Sequence, residues 1–196
     1  MGLLAKEKSS DFKLLEPGTH LAICNAVIGV GVQETMFGSK EKVYIRWEVP
    51  AERVQYEKDG EQVNLPMTIW GNYTNSISPK ANLNQLLNGW RGKAFTPEER
   101  KGFELFDLVG EPCLLTVVHN ESGDNVYANV QSVARVMKGQ EIPPQEMPSI
   151  VYSNEDTEQW EDVPEWLQDK VKIQVKKELP EEPATEELED DEDVGF

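Results

Sequence analysis

Cysteine and histidine are scarce in this sequence, and long apolar runs are missing. The chain of 196 residues contains two cysteines and two histidines. Cys24 and Cys113 each lie within an apolar, strand-like run and outside any C-x-x-C or Cys/His cluster, which predicts buried, reduced thiols and no metal site. No apolar run approaches the roughly 18 to 20 residues that span a bilayer, and the first residues lack the apolar core of a secretory signal. We therefore expect a soluble, cytoplasmic protein that does not contact the membrane.

Recognisable catalytic motifs are missing too. His20 and His119 belong to no H-E-x-x-H or nucleophile-elbow arrangement. Gly29 and Gly31 are not followed by the glycine and Lys-Ser/Thr that complete a phosphate-binding loop. Carboxylates are abundant, but they concentrate near the C-terminus, where we expect no fixed geometry for a catalytic pair. The sequence predicts a protein that is not an enzyme and that needs no cofactor.

Negative charge is plentiful and unevenly distributed. The formal net charge is −17. Residues 1–150 contain 15 Lys/Arg and 19 Asp/Glu, a net charge of −4, whereas residues 151–196 contain 4 and 17, a net charge of −13. Any surface for an anionic partner must therefore be a local patch on the first 150 residues.

Apolar periodicity predicts five strands in the first 137 residues. The predicted strands are Gly18 to Gln33, KVYIRWEVP, LPMTIWGNYT, Cys113 to Val118 and VYANVQSVARVM. In the first strand Gly29 and Gly31 allow a bulge or bend. The second alternates between an apolar face, from Val43 to Val49, and a polar face that includes Tyr44.

Helical spacing appears between the third and fourth predicted strands. Leu83, Leu86, Leu87 and Trp90 form one apolar stripe, Ser78-Pro79 suits its start and Gly89 its end. Thr96-Pro97-Glu98-Glu99 predicts the start of a second helix. In this pattern the Thr hydroxyl and the Glu carboxylate each accept a hydrogen bond from a free backbone amide of the first turn. Three strands, a helix and two strands follow the order of an OB-fold, a five-stranded, partly open Greek-key barrel. The predicted fold class is mainly β, an OB-like barrel with a helical interlude and an acidic tail.

The composition divides the chain into four parts. We assign residues 1–140 to the barrel and residues 141–162 to a Pro-rich linker. Residues 163–177 are an amphipathic helix candidate, with Trp166, Leu167 and Val171 on one stripe, and it either docks on the barrel or mediates self-association. In residues 178–196 ten of nineteen residues are acidic and none is basic, which predicts a disordered tail.

The tail ends in an apolar tip, Val194-Gly195-Phe196, after a run of acids. A solubility tail needs no terminal aromatic residue, and this pattern suits capture by an apolar pocket with basic residues around it. The tip resembles that of bacterial single-stranded DNA-binding proteins, whose tails end in several Asp followed by Ile-Pro-Phe, with Gly195 in place of the proline. The residues expected to contact partner proteins are Asp190, Asp191, Glu192, Asp193, Val194 and Phe196.

The body is similar to phage-encoded single-stranded DNA-binding proteins in three stretches. These are YIRWEVP, NYTNSISPKANLNQLLNGWRGKAFTPEE and GEPCLLTVVHNESGDNVYANV. The resemblance implies sequence-independent binding and protection of single-stranded DNA during replication or recombination, in the host cytoplasm. It also implies that the tail tip recruits replication or recombination proteins. Assembly into a homo-oligomer is left open.

Binding of single strands requires aromatic side chains on which bases stack and cations that follow the phosphates. Tyr44 and Arg46 share the polar face of the second strand, and Trp70 and Tyr73 lie at the side and end of the third. In an OB-fold these two strands form the middle of the binding face. The full set of predicted DNA-binding residues is Lys40, Lys42, Tyr44, Arg46, Trp70, Tyr73, Lys80, Arg91, Lys93, Tyr127 and Arg135.

Two functions of other classes compete with DNA binding. An acidic interaction adaptor or DNA mimic would occupy the DNA site of another protein without binding nucleic acid itself. Such a mimic should display its acids on the folded body, whereas here most of the excess lies beyond residue 150. A structural virion component would assemble stably without DNA.

Overall fold

The computed structural model describes residues 13–58 and 60–174 as a mainly β protein with two helices. The strands are β1 (Gly18–Gln33), β2 (Lys40–Lys58), β3 (Glu61–Thr74), β4 (Pro112–Ser122), β5 (Asn125–Ala134) and β6 (Ile150–Tyr152), and the helices are α1 (Asn82–Arg91) and α2 (Glu165–Lys172). The five strands predicted from the sequence are confirmed, and β2 and β3 begin earlier than predicted. Neither helix in these residues is long and apolar enough to cross a bilayer.

One antiparallel sheet curls into a half-barrel with the strand order β3-β2-β1-β4-β5. The long β1 strand serves both halves, because residues 18–23 pair with β4 and residues 23–33 pair with β2. β6 pairs in parallel with residues 26–28 of β1. It uses the edge of β1 that pairs with β4 over residues 18–23. Among the described strands no ladder joins β3 to β5, so the half-barrel stays open along that seam.

A β-bulge at Asn25 gives β1 two apolar faces. The register shifts between Cys24 and Ala26, so one extra residue reverses the alternation of side chains. Cys24 and Val27 therefore point into the half-barrel, while Ala26 and Ile28 point outward. The outward apolar face of β1 requires a cover of its own.

Helix α1 closes the inner core. Its predicted apolar stripe is buried, and the Trp90 ring lies 5.9 Å from that of Trp47 on β2. The helix begins at Asn82 rather than at Ser78, and Gly92, with φ +68°, ends it in place of the predicted Gly89. Gly89 serves a different purpose. A Cβ there would collide with the carbonyl oxygen of Val133, so glycine lets the helix approach β5 closely.

The predicted capping pair at Thr96 and Glu99 is present. The Glu99 amide donates to the Thr96 hydroxyl at 3.2 Å, and the Thr96 amide donates to the Glu99 carboxylate at 2.9 Å. The pair opens a single 3-10 turn, Glu99–Lys101, rather than a longer helix.

Residues 145–174, here called the C-terminal segment, cover the outer face of β1. The segment includes part of the predicted linker, yet it contains strand β6 and helix α2. Leu167 and Val171 of α2 are buried against Ile28 and Tyr44 in an outer apolar cluster. Of the two alternatives left open for this helix, the structure therefore has it docked on the sheet.

Candidate nucleic-acid interface

The outer face of β2 and β3 carries several of the predicted residues in cross-strand pairs. The pairs are Lys42 with Thr74, Tyr44 with Asn72, Arg46 with Trp70, and Glu48 with Thr68. Side chains of one face repeat every second residue, so these eight lie on the same side of the sheet. They differ in how much the C-terminal segment covers them.

Tyr44 and Arg46 are buried, which corrects the prediction that they form an open binding surface. Each has 8% of its surface exposed. Tyr44 belongs to the outer apolar cluster beneath α2, and burial raises the pKa of its hydroxyl. Strand alternation placed both residues on the outer face, but it could not show that a segment about 100 residues later covers that face.

Arg46 is part of a buried polar network. Its guanidinium donates to the Asn25 side-chain oxygen at 2.8 Å and to the Pro148 carbonyl at 3.3 Å. The Asn25 amide donates to the fully buried Glu48 carboxylate at 3.0 Å. Desolvation lowers the pKa of Arg46, and the charge of Glu48 opposes that shift. The network satisfies two buried charges, so Arg46 is engaged within the protein.

Trp70 remains partly accessible at the edge of this covered region. Its ring lies beneath the Arg46 guanidinium, with 5.3 Å from the guanidinium carbon to the ring centroid. Trp166 of α2 meets it edge-on, with centroids 5.6 Å apart. Trp70 is thus held in place on two sides while part of it still faces solvent.

A cleft of about 620 Å³ lies between β3 and the β4–β5 hairpin, along the open seam of the half-barrel. Trp70 and Tyr127 both line this aromatic cleft, and Tyr127 is 50% exposed. Among residues 13–58 and 60–174, no Asp or Glu lines this cleft. The lining residues are Lys13, Leu14, Leu15, Met67, Thr68, Ile69, Trp70, Asn120, Ser122, Tyr127, Ala128 and Asn129. Such a lining suits flat, uncharged rings.

A second cleft, of about 420 Å³, brings together three of the predicted cations, Lys40, Lys42 and Lys80. Hydroxyl and amide side chains surround them, and in the part of the chain that the structure describes no Asp or Glu lines this lysine cleft. The remaining lining residues are Asn72, Tyr73, Thr74, Ser76, Ser78, Ala81 and Asn82. Among the described residues, no carboxylate lies within ion-pairing distance of these three lysines. The cleft therefore has the chemistry to hold phosphate groups.

Tyr73 lines the lysine cleft, but it is not the exposed aromatic residue that the sequence predicted. It shares the inward face of β3 with Met67 and Ile69, and it packs against the inner core. Its ring folds back over Gly71, where a Cβ would overlap the ring atoms. Burial raises the pKa of its hydroxyl. We therefore regard Tyr73 as a wall of the cleft and not as a stacking surface.

Four outward side chains of β3 connect the two clefts. Thr68 and Trp70 line the aromatic cleft, whereas Asn72 and Thr74 line the lysine cleft. At about 3.3 Å per residue, this β3 strip runs for about 20 Å without a carboxylate. The strip has an aromatic group at one end and reaches the ammonium groups of the lysine cleft at the other.

The other three predicted cations line a third cleft, where acids accompany them. Arg91, Lys93 and Arg135 share this cleft with Asp107 and Glu111. Arg91 lies over the Phe95 ring at 4.0 Å and pairs with Glu99, and Lys93 reaches the same carboxylate at 3.3 Å. The backbone amide of Thr96 and these two cations lower the pKa of Glu99 to about 2. Arg91 and Lys93 are thus engaged by a neighbouring acid.

Sequence reasoning missed two exposed features. Trp166 was assigned to an apolar helix stripe, yet it is 44% exposed beside Trp70. Met36 and Phe37 project from the turn between β1 and β2, and Phe37 is 81% exposed. Paired backbone bonds between Thr35 and Gly38 hold this turn. A large apolar side chain within a loop was the available signal for Phe37.

The predicted disordered tail, residues 178–196, lies outside the described residues, as does its tip at residues 190–196. Within them, no group of three or more His, Cys, Asp or Glu side chains is arranged to hold a metal ion. No protein-family model matches the chain, and no curated protein matches it significantly.

Proposed function

We propose that the protein binds single-stranded DNA without sequence preference, along the β3 strip and its two clefts. The observation that carries this proposal is that no Asp or Glu of the described residues lines either cleft, although the first 150 residues contain 19 of them. Acidic residues outnumber basic ones in this part of the chain, 19 to 15, so a random surface would place carboxylates among the lysines. Their exclusion from the described lining of both clefts points to an anionic ligand.

The chemistry of the strip suits a nucleic acid that is unpaired. Trp70 and Tyr127 offer rings to bases, and every base has a face that stacks, which makes this contact independent of sequence. Lys40, Lys42 and Lys80 offer point charges to the backbone phosphates. A duplex hides the faces of its bases, so the aromatic cleft favours single strands.

The strand order supports an OB-like interpretation of the half-barrel. A five-stranded curled sheet with α1 between β3 and β4 in the chain is compatible with that fold. OB-folds bind oligonucleotides across strands two and three and the adjacent loops. In this interpretation, the β3 strip and the β4–β5 hairpin would form the corresponding binding surface. The same proposal assigns the chain to the phage-encoded single-stranded DNA-binding proteins and places it in the host cytoplasm.

The acidic tail supplies a second part of the proposal. Its tip recruits replication or recombination proteins through Val194 and Phe196, with the preceding acids held by basic residues of the partner. An attached tail is present at an effective concentration on the order of millimolar, so it competes weakly for the lysine cleft when DNA is absent. DNA binding then frees the tip for partners. Removal of residues 178–196 should raise affinity for DNA at low salt, and equal affinities would refute this competition.

A titration with oligo-dT, followed by tryptophan fluorescence, tests the proposal directly. We expect quenching as bases stack, and affinity that falls with salt. Tyr127→Leu should weaken binding roughly 5- to 100-fold, the effect of losing one stacked base. Tyr56→Leu is the matched control, because Tyr56 is 45% exposed but lies outside both clefts.

The main competing function is an acidic adaptor or DNA mimic. A mimic predicts no quenching and no affinity for oligo-dT even in dilute buffer. Equal binding by Tyr127→Leu and Tyr56→Leu would instead move the DNA site away from the aromatic cleft. The two failures are therefore distinguishable.

A further inference from the structure

We infer that Trp166, carried by the C-terminal segment, is a third base-stacking residue of the DNA site. This inference rests on the proposed function and extends it, because it makes residues beyond the half-barrel part of the binding surface. The ligand is an unpaired nucleobase of the strand that follows the β3 strip. Three structural observations support it.

The first observation is that the C-terminal segment is anchored by buried polar groups. The fully buried Glu48 carboxylate accepts hydrogen bonds from the backbone amides of Glu146 and Met147, each at 2.8 Å. Arg46 donates to the Pro148 carbonyl, and Arg53 forms two hydrogen bonds with the Glu146 carboxylate. If the segment detached, Glu48 and Arg46 would lose these partners, and unpaired buried charges are costly. These contacts hold the start of the segment on the sheet, and the burial of Leu167 and Val171 holds α2 there.

The second observation is the exposure of Trp166. It is the second residue of α2, next to Leu167, which is completely buried. Trp166 nevertheless keeps 44% of its surface in solvent. A purely structural tryptophan at this position would be expected to bury more of its ring, since a large apolar surface left in water is unfavourable.

The third observation is the way neighbouring rings hold Trp166. Its ring is nearly perpendicular to Tyr44, at 82° and 5.3 Å, and to Trp70, at 89° and 5.6 Å. Perpendicular contacts fix a ring while covering less of it than a parallel stack would. Trp166 is thus pre-oriented directly beside Trp70, the aromatic member of the β3 strip. Little side-chain freedom remains to be lost when a base binds.

The experiment compares three substitutions at Trp166 by oligo-dT titration, with unfolding curves for each variant. Trp166→Phe keeps an aromatic face, whereas Trp166→Leu keeps apolar packing without one. We expect the leucine variant to bind roughly 5- to 100-fold more weakly than the phenylalanine variant, at temperatures where the unfolding curves show both to be folded. The affinity of Trp166→Phe for oligo-dT should be close to that of the wild-type protein. The affinity of Trp166→Ala should be as low as that of Trp166→Leu. Trp160→Phe is the control for another tryptophan of the same segment, and its affinity should be unchanged.

A second measurement keeps the inference testable if the leucine variant unfolds. In the Trp70→Phe/Trp160→Phe double variant, the remaining tryptophans are the buried Trp47 and Trp90, and Trp166. Quenching of this variant by oligo-dT would report contact at Trp166, and its absence despite binding would overturn the inference.

Different results would refute DNA binding by the protein and base stacking by Trp166. Wild-type protein that ignores oligo-dT would refute the proposed function itself. Wild-type protein that binds, with leucine and phenylalanine variants of equal affinity, would leave that function standing and reduce Trp166 to a packing residue.

Discussion

The cations predicted to bind DNA fall into two groups with different neighbours in the structure. Arg46 and Arg91 are both engaged by the protein, Arg46 through Asn25 and Pro148 and Arg91 through Glu99 and Phe95. Lys40, Lys42 and Lys80 instead converge on a cleft whose described lining contains no carboxylate. The guanidinium group, with five donors in a planar fork, suits fixed internal networks, whereas a solvated ammonium group suits mobile phosphates. A cation's neighbours decide its role more than its position on a strand does.

The largest expected effect is a difference in stability between variants of Arg46 and Lys42, which lie four residues apart on the same face of β2. Arg46→Met removes a buried charge and leaves Glu48 without its electrostatic partner. We expect the free energy of unfolding to fall by about 3–5 kcal/mol. Lys42→Met, the matched control, should change it by no more than about 0.5 kcal/mol. Urea denaturation measures both, and similar losses in the two variants would contradict the distinction drawn between them.

The second prediction concerns affinity rather than stability. Replacing Lys40, Lys42 and Lys80 together by alanine should lower the log-log salt slope of oligo-dT binding by about 2, since each phosphate contact contributes about 0.7. The matched control replaces Arg100, Lys101 and Lys138, three exposed cations outside the lysine cleft, and changes net charge equally. Titrations at several salt concentrations give both slopes. Equal slopes for the two triple variants would mean that only overall charge matters.

Much of the fold was predictable because its signals are local. Alternation along β2 and the helical spacing of Leu83, Leu87 and Trp90 identify their elements from neighbouring residues alone. The Thr96–Glu99 capping pair was predictable for the same reason. These patterns determine which face of an element is buried. They do not determine what covers the other face.

The candidate site was predictable only in part, because it depends on contacts between distant residues. Tyr44 and Arg46 lie on the predicted face, yet the segment that buries them is about 100 residues away in sequence. The bulge at Asn25 creates the outer apolar face that this segment covers, and a one-residue register shift leaves no periodic signal. Convergence of Lys80 with Lys40 likewise depends on the fold of the loop after β3.

The smallest expected effect is a pH dependence that tests how Arg91 is engaged. The folded pKa of Glu99, about 2, lies below its ordinary value of 4.5, so its interactions stabilise the fold fully above about pH 4.5. That stabilisation is lost as the pH falls from about 4.5 to about 2. Glu99→Gln should therefore lower the melting temperature at pH 6, and the difference from wild type should shrink toward pH 2. Glu98→Gln controls for the change in net charge, and identical pH profiles for the two variants would show that Glu99 does not hold the Arg91 cluster.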